Sequence, residues 1–323
     1  MSDTVIGRPP ARVYRRRRLV ALGVLAAVML LLGVVIGALS GGGETAAERA
    51  ASSGGGGGKP PPPPELPRGG RSIFPEYRVV AYYGAPQAAE LGILGIGSPA
   101  SAARKLEKQA KPYATGKRPV LPAMELIAVI ANADAGEDGM YRARQPDSVI
   151  RRYLHAARKA KAMLLLDIQP GRSDFFTETK RLRKWLGEPD VGLALDPEWR
   201  MQPGQVPGNV IGGVDAREVN ATTAWLDQLT ERRNLPEKMV VIHQFTDDMV
   251  DDKALKARPN LQIVLNADGF GGPAVKKSKY HAFTRQAPGF EPGFKLFYKE
   301  DLDLMTPRQV LRMRPPPDFV VYE

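Results

Sequence analysis

Residues 191–201 read Val-Gly-Leu-Ala-Leu-Asp-Pro-Glu-Trp-Arg-Met. The stretch begins as a short uncharged apolar run and stops at Asp196, Pro197, Glu198 and Trp199. Side chains alternate between the two faces of a strand. Gly192, Ala194, Asp196 and Glu198 therefore fall on one face, with Val191, Leu193 and Leu195 on the other. Small residues on one side and large apolar ones on the other suit a strand covered on both faces, as in a parallel sheet. Pro197 lacks an N–H and closes the strand. Two carboxylates are thus expected on one face at a strand's C-terminal end, where barrel enzymes do their chemistry.

Seven more apolar runs surround this one, at 78–84, 119–131, 162–171, 239–245, 261–270, 294–300 and 318–322. Helical patterns lie between them at 101–113, 147–161, 174–186 and 215–233, with shorter helices expected within 247–258, 274–285 and 306–312. Strand and helix alternating eight times predict parallel strands with helical crossovers. The expected fold is α/β, a (β/α)8 TIM-type barrel, with a doubly wound open sheet as the alternative. Residues 72–323 make a domain of the usual size for one such barrel.

The N-terminal part reads differently. Residues 1–18 carry six Arg and one Asp, and residues 19–39 carry no charge. A helix of that length spans about 31 Å, enough for a hydrocarbon core. The expectation is a basic cytoplasmic tail (1–18), a transmembrane helix (19–39) and an extracytoplasmic domain, since the Arg cluster flanks one side only. A cleaved signal peptide is the rival reading. Residues 40–71 are rich in Gly and Pro and are expected to be a disordered linker. The net charge of +11 is therefore not a property of the domain, because 72–323 holds 36 basic and 31 acidic residues. No nucleic-acid partner is expected from it. The lipid bilayer, through 19–39, is the expected partner, and a single-pass cell-membrane location follows. With no Cys in the chain, disulfides, thiolate metal sites and thiol nucleophiles are excluded.

Polar residues at the strand ends mark the candidate site. They are Tyr83, Glu125, Asp167 with Gln169, Asp196 with Glu198, His243, Asn266 with Asp268, and Tyr298 with Glu300. Trp199 and Tyr83 could be stacking platforms for a sugar ring. The sequence contains no Walker loop, Gly-x-Gly-x-x-Gly, His-Glu-x-x-His or Gly-x-Ser-x-Gly motif. With three His in all, one of them mid-helix, a three-His zinc site is not expected. Carboxylate chemistry remains, with no cofactor expected.

The ending Asp196-Pro197-Glu198 resembles the Asp-x-Glu ending of chitinase-type and Chalaropsis-type muramidase barrels, within the wider class of glycoside-hydrolase-type (β/α)8 barrels. The longer Asp-x-x-Asp-x-Asp-x-Glu chitinase signature is missing, since the preceding residues read Gly192-Leu193-Ala194-Leu195. As a whole, residues 77–323 look similar to uncharacterised membrane-anchored proteins of high-GC Gram-positive bacteria. The resemblance implies a membrane-tethered, glycosidase-like enzyme acting on a cell-envelope glycan. Glu198 would be the general acid, Asp196 its tuning partner, and Glu300 or Asp268 the second carboxylate. Glu125, Asp167, Gln169, His243, Asn266, Trp199, Tyr298 and Tyr83 would bind the substrate. Two other readings stand beside it: a barrel that binds envelope glycan without cutting it, and a metal-dependent hydrolase using Asp167, Asp196, Asp268 and His243, whose oxygen-rich set suits Mg²⁺, Ca²⁺ or Mn²⁺.

Overall fold

A computed structural model describes residues 62–286 and 289–323. Its strands are β1 (Arg78–Gly84), β2 (Val120–Ala131), β3 (Arg142–Arg144), β4 (Met163–Ile168), β5 (Val191–Leu195), β6 (Lys238–Gln244), β7 (Leu261–Ala267), β8 (Glu291–Leu296) and β9 (Phe319–Tyr322). Eight of them, all but β3, run parallel and close on themselves, because β1 pairs with both β2 and β9. The fold is a (β/α)8-type barrel, and the open-sheet alternative is excluded by that closing pair.

The helices are α1 (Pro99–Ala110), α2 (Asp147–Lys159), α3 (Phe175–Arg181), α4 (Arg183–Leu186), α5 (Ala216–Arg232), α6 (Pro273–Gln286) and α7 (Pro307–Leu311). Their starts follow local chemistry. Ser98 caps α1 ahead of Pro99, Asp174 caps α3, and Thr306 with Gln309 forms a reciprocal capping box at α7. On α1, Ala102, Ala103, Leu106 and Ala110 form the buried stripe.

Two apolar layers result. Val80, Tyr82, Leu193, Leu195, Val240 and Ile242 face outward and pack under the helices. Val79, Ala81, Ala123, Leu165, Ala194 and Val241 face inward and fill the barrel. Residues 62–71, assigned to the linker from their composition, lie against the barrel. Leu66 is buried with the inner cluster, and the Arg71 guanidinium donates to the Pro64 and Leu235 carbonyls.

Three local expectations are corrected. The helix predicted over 174–186 is two pieces, because Leu182 (φ −81°, ψ 4°) turns the chain between α3 and α4. The stretch 247–258 holds only a 3₁₀ turn at Asp252–Ala254. Asp247 and Asp251, and Asp248 and Asp252, would stand four apart on a helix, where like charges repel. Strand β3 has no apolar run to announce it. It pairs antiparallel with the end of β2 and is pinned by the buried Glu178 carboxylate, which accepts from Arg142 (3.0 Å), Arg144 (2.6 Å) and Ser173 (2.6 Å).

The membrane-anchored architecture is also corrected. The expected span 19–39 lies outside the described residues. Among the described residues, no helix is long and apolar enough to cross a membrane. The structure therefore lends no support to a transmembrane helix preceding the barrel, and the bilayer partner and single-pass cell-membrane location are not carried forward.

Closure through β9 makes a prediction. A chain ending at residue 317 loses the strand between β8 and β1 and exposes two parallel edges. It should show no cooperative thermal transition by circular dichroism. An unchanged transition would mean that β9 does not hold the barrel shut.

Candidate metal centre

The inward faces of the strands become polar toward their C-terminal ends. Tyr83 of β1 lies in register with Glu125 of β2, and His243 of β6 with Asn266 of β7. Asp167 of β4 follows the inward Leu165 by two residues, as Asp196 follows Ala194 beyond β5 and Lys295 of β8 follows Gly293. Gly293 is required where it stands, because a Cβ there would come within 2.8 Å of Asn266 Oδ1.

The centre of this layer is His243, which is 1% exposed. Its Nε2 is 2.9 Å from Glu125 Oε1, and its Nδ1 is 3.3 Å from Asp268 Oδ2 and 3.2 Å from Asn266 Nδ2. Tyr83 donates its hydroxyl to Asp167 Oδ2 at 2.8 Å and accepts from Gln169 Nε2 at 3.1 Å. Gln169 Oε1 in turn accepts from the Ala131 N–H. Lys295 Nζ reaches Asp268 Oδ2 at 3.1 Å and Glu323 Oε2 at 2.7 Å, and stands 4.0 Å over the Tyr83 ring.

Glu125, Asp167 and His243 each bring one ligand atom into a group whose members all lie within 4.8 Å of one another. Two donors at about 2.1 Å from one ion and at right angles are about 3 Å apart, so the Glu125–His243 spacing suits a shared cation as well as a hydrogen bond. Glu125 Oε2, Asp167 Oδ1 and Asp196 Oδ1 are buried without a partner. Orphaned buried oxygens in a carboxylate cluster are what a bound cation would satisfy.

The electrostatics agree. Burial raises the Asp167 carboxyl to about 6, with the Glu125 charge adding to it against the pull of His243. Burial also holds Asp196 well above the usual carboxylate range, with Asp167 and Glu198 adding to it. For His243, burial opposes the charge, but the Glu125 and Asp268 carboxylates outweigh it and raise its pKa well above the ordinary value. Lys295 is the same case. Burial disfavours its ammonium, while Asp268, Glu323 and Asp196 hold it charged.

The strand-end residues named from sequence divide clearly. Tyr83, Glu125, Asp167, Gln169, Asp196, His243, Asn266 and Asp268 share the inward polar layer. Glu198 is buried on the 3₁₀ turn Pro197–Trp199, so the strand alternation that paired it with Asp196 ends before it. Trp199 is half-buried on the same turn. Tyr298 lies outside the wall, stacked on Tyr322 at 5.3 Å. Glu300 is exposed in the turn after β8. Sequence reasoning missed Lys295 and Glu323. The signal for Lys295 was a single Lys between Phe294 and Leu296–Phe297, an inward position in a run otherwise apolar. A surface cleft lined by Asp215, Asn220, Asp248 and Lys256 contains none of the polar-layer residues.

The two-carboxylate glycosidase reading is corrected here. Of the two second carboxylates proposed for Glu198, Glu300 is on the surface and Asp268 is engaged by Lys295 and His243. The convergent group is instead Glu125, Asp167 and His243, a metal-type donor set. No family model matches the chain, and no curated protein matches it, so the glycoside-hydrolase and membrane-anchored resemblances, and the envelope-glycan partner drawn from them, find no support. Among solved structures, an arginine decarboxylase of Paramecium bursaria Chlorella virus bound to agmatine is similar at 11% identity and a TM-score of 0.27, over 78% of this chain. The match spans 58% of that structure's length and carries no argument about function.

The raised carboxyls fix the sign of a pH effect. Asp167 and Asp196 hold protons in the folded state at pH values where an unfolded carboxyl has lost them, so their contribution to stability falls as pH rises from about 4. The raised His243 adds stability below about pH 6.5 that is lost as pH rises through its folded value. Metal-free Asp167→Asn should therefore be more stable than wild type at pH 7.5, by about 1–3 kcal/mol, and melt at a higher temperature, and the difference should shrink at pH 4.5. Scanning calorimetry in chelator-treated buffer checks this; a variant less stable at pH 7.5 would show that Asp167 is not a strained carboxylate.

Proposed function

We propose that the barrel is a metal-dependent hydrolase whose divalent cation is held by Glu125, Asp167 and His243. The observation that carries this reading is the convergence of these three buried side chains within 4.8 Å, with Glu125 Oε2 and Asp167 Oδ1 unpartnered. A donor set of two carboxylates and one imidazole suits Mn²⁺ or Zn²⁺ better than Ca²⁺, which takes oxygen alone. When bound, such a cation supplies Lewis-acid catalysis of hydrolysis.

The chain's own residues do the rest. Tyr83 holds Asp167 by one oxygen and leaves the other toward the ion. Asp196, whose burial pushes its carboxyl toward the protonated form, would give a proton to a leaving group and take it back. Lys295 keeps a fixed positive charge beside the site. These side chains are nearly inaccessible, and the low polarity around them strengthens the electrostatic interactions among them.

The test is a metal titration of chelator-treated protein. Mn²⁺ or Zn²⁺ at a hundred times its dissociation constant should stabilise the fold by about 2.7 kcal/mol, and the effect should vanish in His243→Ala and Glu125→Gln. Hydrolysis of a panel of activated esters, amides and phosphates should appear with the metal and disappear with chelator. Wild-type protein that neither gains stability nor retains metal on dialysis would sink the proposal. Binding metal while hydrolysing nothing would leave a metal-binding barrel and remove the hydrolase.

A further inference from the structure

The polar layer contains a carboxylate that is not positioned as a ligand. Asp268 follows β7, 3% exposed, and both of its oxygens are engaged by the chain. Oδ1 accepts from the Gly269 N–H at 2.6 Å. Oδ2 accepts from Lys295 Nζ at 3.1 Å and lies 3.3 Å from His243 Nδ1. Lys295 is itself fixed, by Glu323 at 2.7 Å and by the face of Tyr83 at 4.0 Å. Gly269 sits at φ +121°, where a side chain is strained, so the backbone N–H that aims Asp268 depends on glycine at that position.

We infer that Asp268, oriented by Lys295 and the Gly269 N–H, is a positioning residue that keeps the proton of His243 on Nδ1 and leaves Nε2 to the cation. The inference rests on the metal reading above. The two ring nitrogens are not equivalent, and the hydrogen bond made by one sets what the other can do. Nε2 faces the ligand side, 2.9 Å from Glu125 Oε1. Nδ1 faces the Asp268 carboxylate oxygen that Lys295 Nζ also contacts, and a carboxylate oxygen accepts a ring N–H. Asn266 supports the same assignment. As its amide is turned, Oδ1 is buried without a partner and Nδ2 points at Nδ1. Turning the amide over places that oxygen, in place of the amide nitrogen, against the Nδ1 proton. The chain from Glu323 through Lys295 and Asp268 to His243 thus ends at the ligating nitrogen without supplying a ligand of its own.

The test uses the full chain labelled with ¹⁵N-histidine. There are three histidines in all, so the ring signals are few. Long-range proton–nitrogen spectra report which ring nitrogen carries a proton and which carries zinc. In zinc-loaded wild type, His243 should show zinc on Nε2 and a proton on Nδ1. Asp268→Asn should bind zinc 10–100-fold more weakly by calorimetry, the usual loss when such an outer partner is removed, with its Nδ1 proton lost or mixed in the zinc-free spectrum. Lys295→Gln, which leaves Asp268 in place without its charge partner, should show a smaller loss in the same direction. Zinc on Nδ1 in wild type, or wild-type affinity in folded Asp268→Asn, would overturn the assignment. If Asp268→Asn does not fold, the wild-type spectrum decides alone, since an Nδ1 without a proton in the zinc-free protein refutes the positioning role. Wild type that takes up no zinc while keeping that proton would overturn the cation reading and leave Asp268 orienting an imidazole that serves no metal.

Discussion

An imidazole held between two carboxylates is the interaction on which the inner structure depends. His243 lies between Glu125 and Asp268 in a layer where Glu125, Asp167, Asp196 and Asp268 bring four buried carboxyls against two cationic side chains, His243 and Lys295. An unpaired buried charge is costly, and a group that cannot be paired shifts its pKa instead. The fold uses both routes. Asp268 and Glu125 each face a cationic partner, while Asp167 and Asp196, each with an oxygen left without a partner, move toward the protonated form. A divalent cation would supply the missing positive charge. Barrel closure is what makes the crowding possible, since only a closed wall aims residues of β2, β4, β6, β7 and β8 at one axis.

Much of this was legible in the sequence. All eight apolar runs overlap barrel strands, because a strand covered on both faces must be largely apolar, and several of the intervening helices carry side-chain caps. Polar residues two apart at the end of such a run, as in Asp167 with Gln169 and Asn266 with Asp268, cannot be loop solvation, and alternation alone puts them inward. Glu125 was visible for the same reason, as one carboxylate within twelve strand residues. What was hidden depends on contacts distant in sequence. Strand β3 exists because Arg142 and Arg144 meet Glu178 more than thirty positions later. Lys295 passes for an ordinary strand lysine until the barrel places Asp268 and Glu323 on either side of it.

The glycosidase reading built on Asp196-Pro197-Glu198 went beyond what the stretch specifies. Proline was correctly taken to end the strand, and the alternation was then extended through it. A 3₁₀ turn does not keep the two-residue period, so strand alternation no longer describes the residues from Pro197 on. The resemblance to a glycosidase ending covered three residues, and a three-residue pattern specifies neither the opposing carboxylate nor the distance to it. Glu300 was assigned by its place after the seventh barrel strand. The neighbouring Asp301, by contrast, turns inward to accept from Lys276 at 2.8 Å and the Phe297 N–H at 3.0 Å, and so shapes the loop that leaves Glu300 on the surface.

What a buried carboxylate does is set by what it faces. Asp268 faces an ammonium and a backbone N–H, so both of its oxygens are engaged by the chain, which suits it to the orienting role inferred above. Asp167 faces one phenol and keeps an oxygen free, so it can ligate. Asp196 has one oxygen without a partner and carboxylates for neighbours, so its surroundings push it toward the protonated form. Three aspartates in one buried polar layer thus have three different sets of neighbours. A family motif that names only the residue type cannot distinguish them, whereas the partner of each oxygen does.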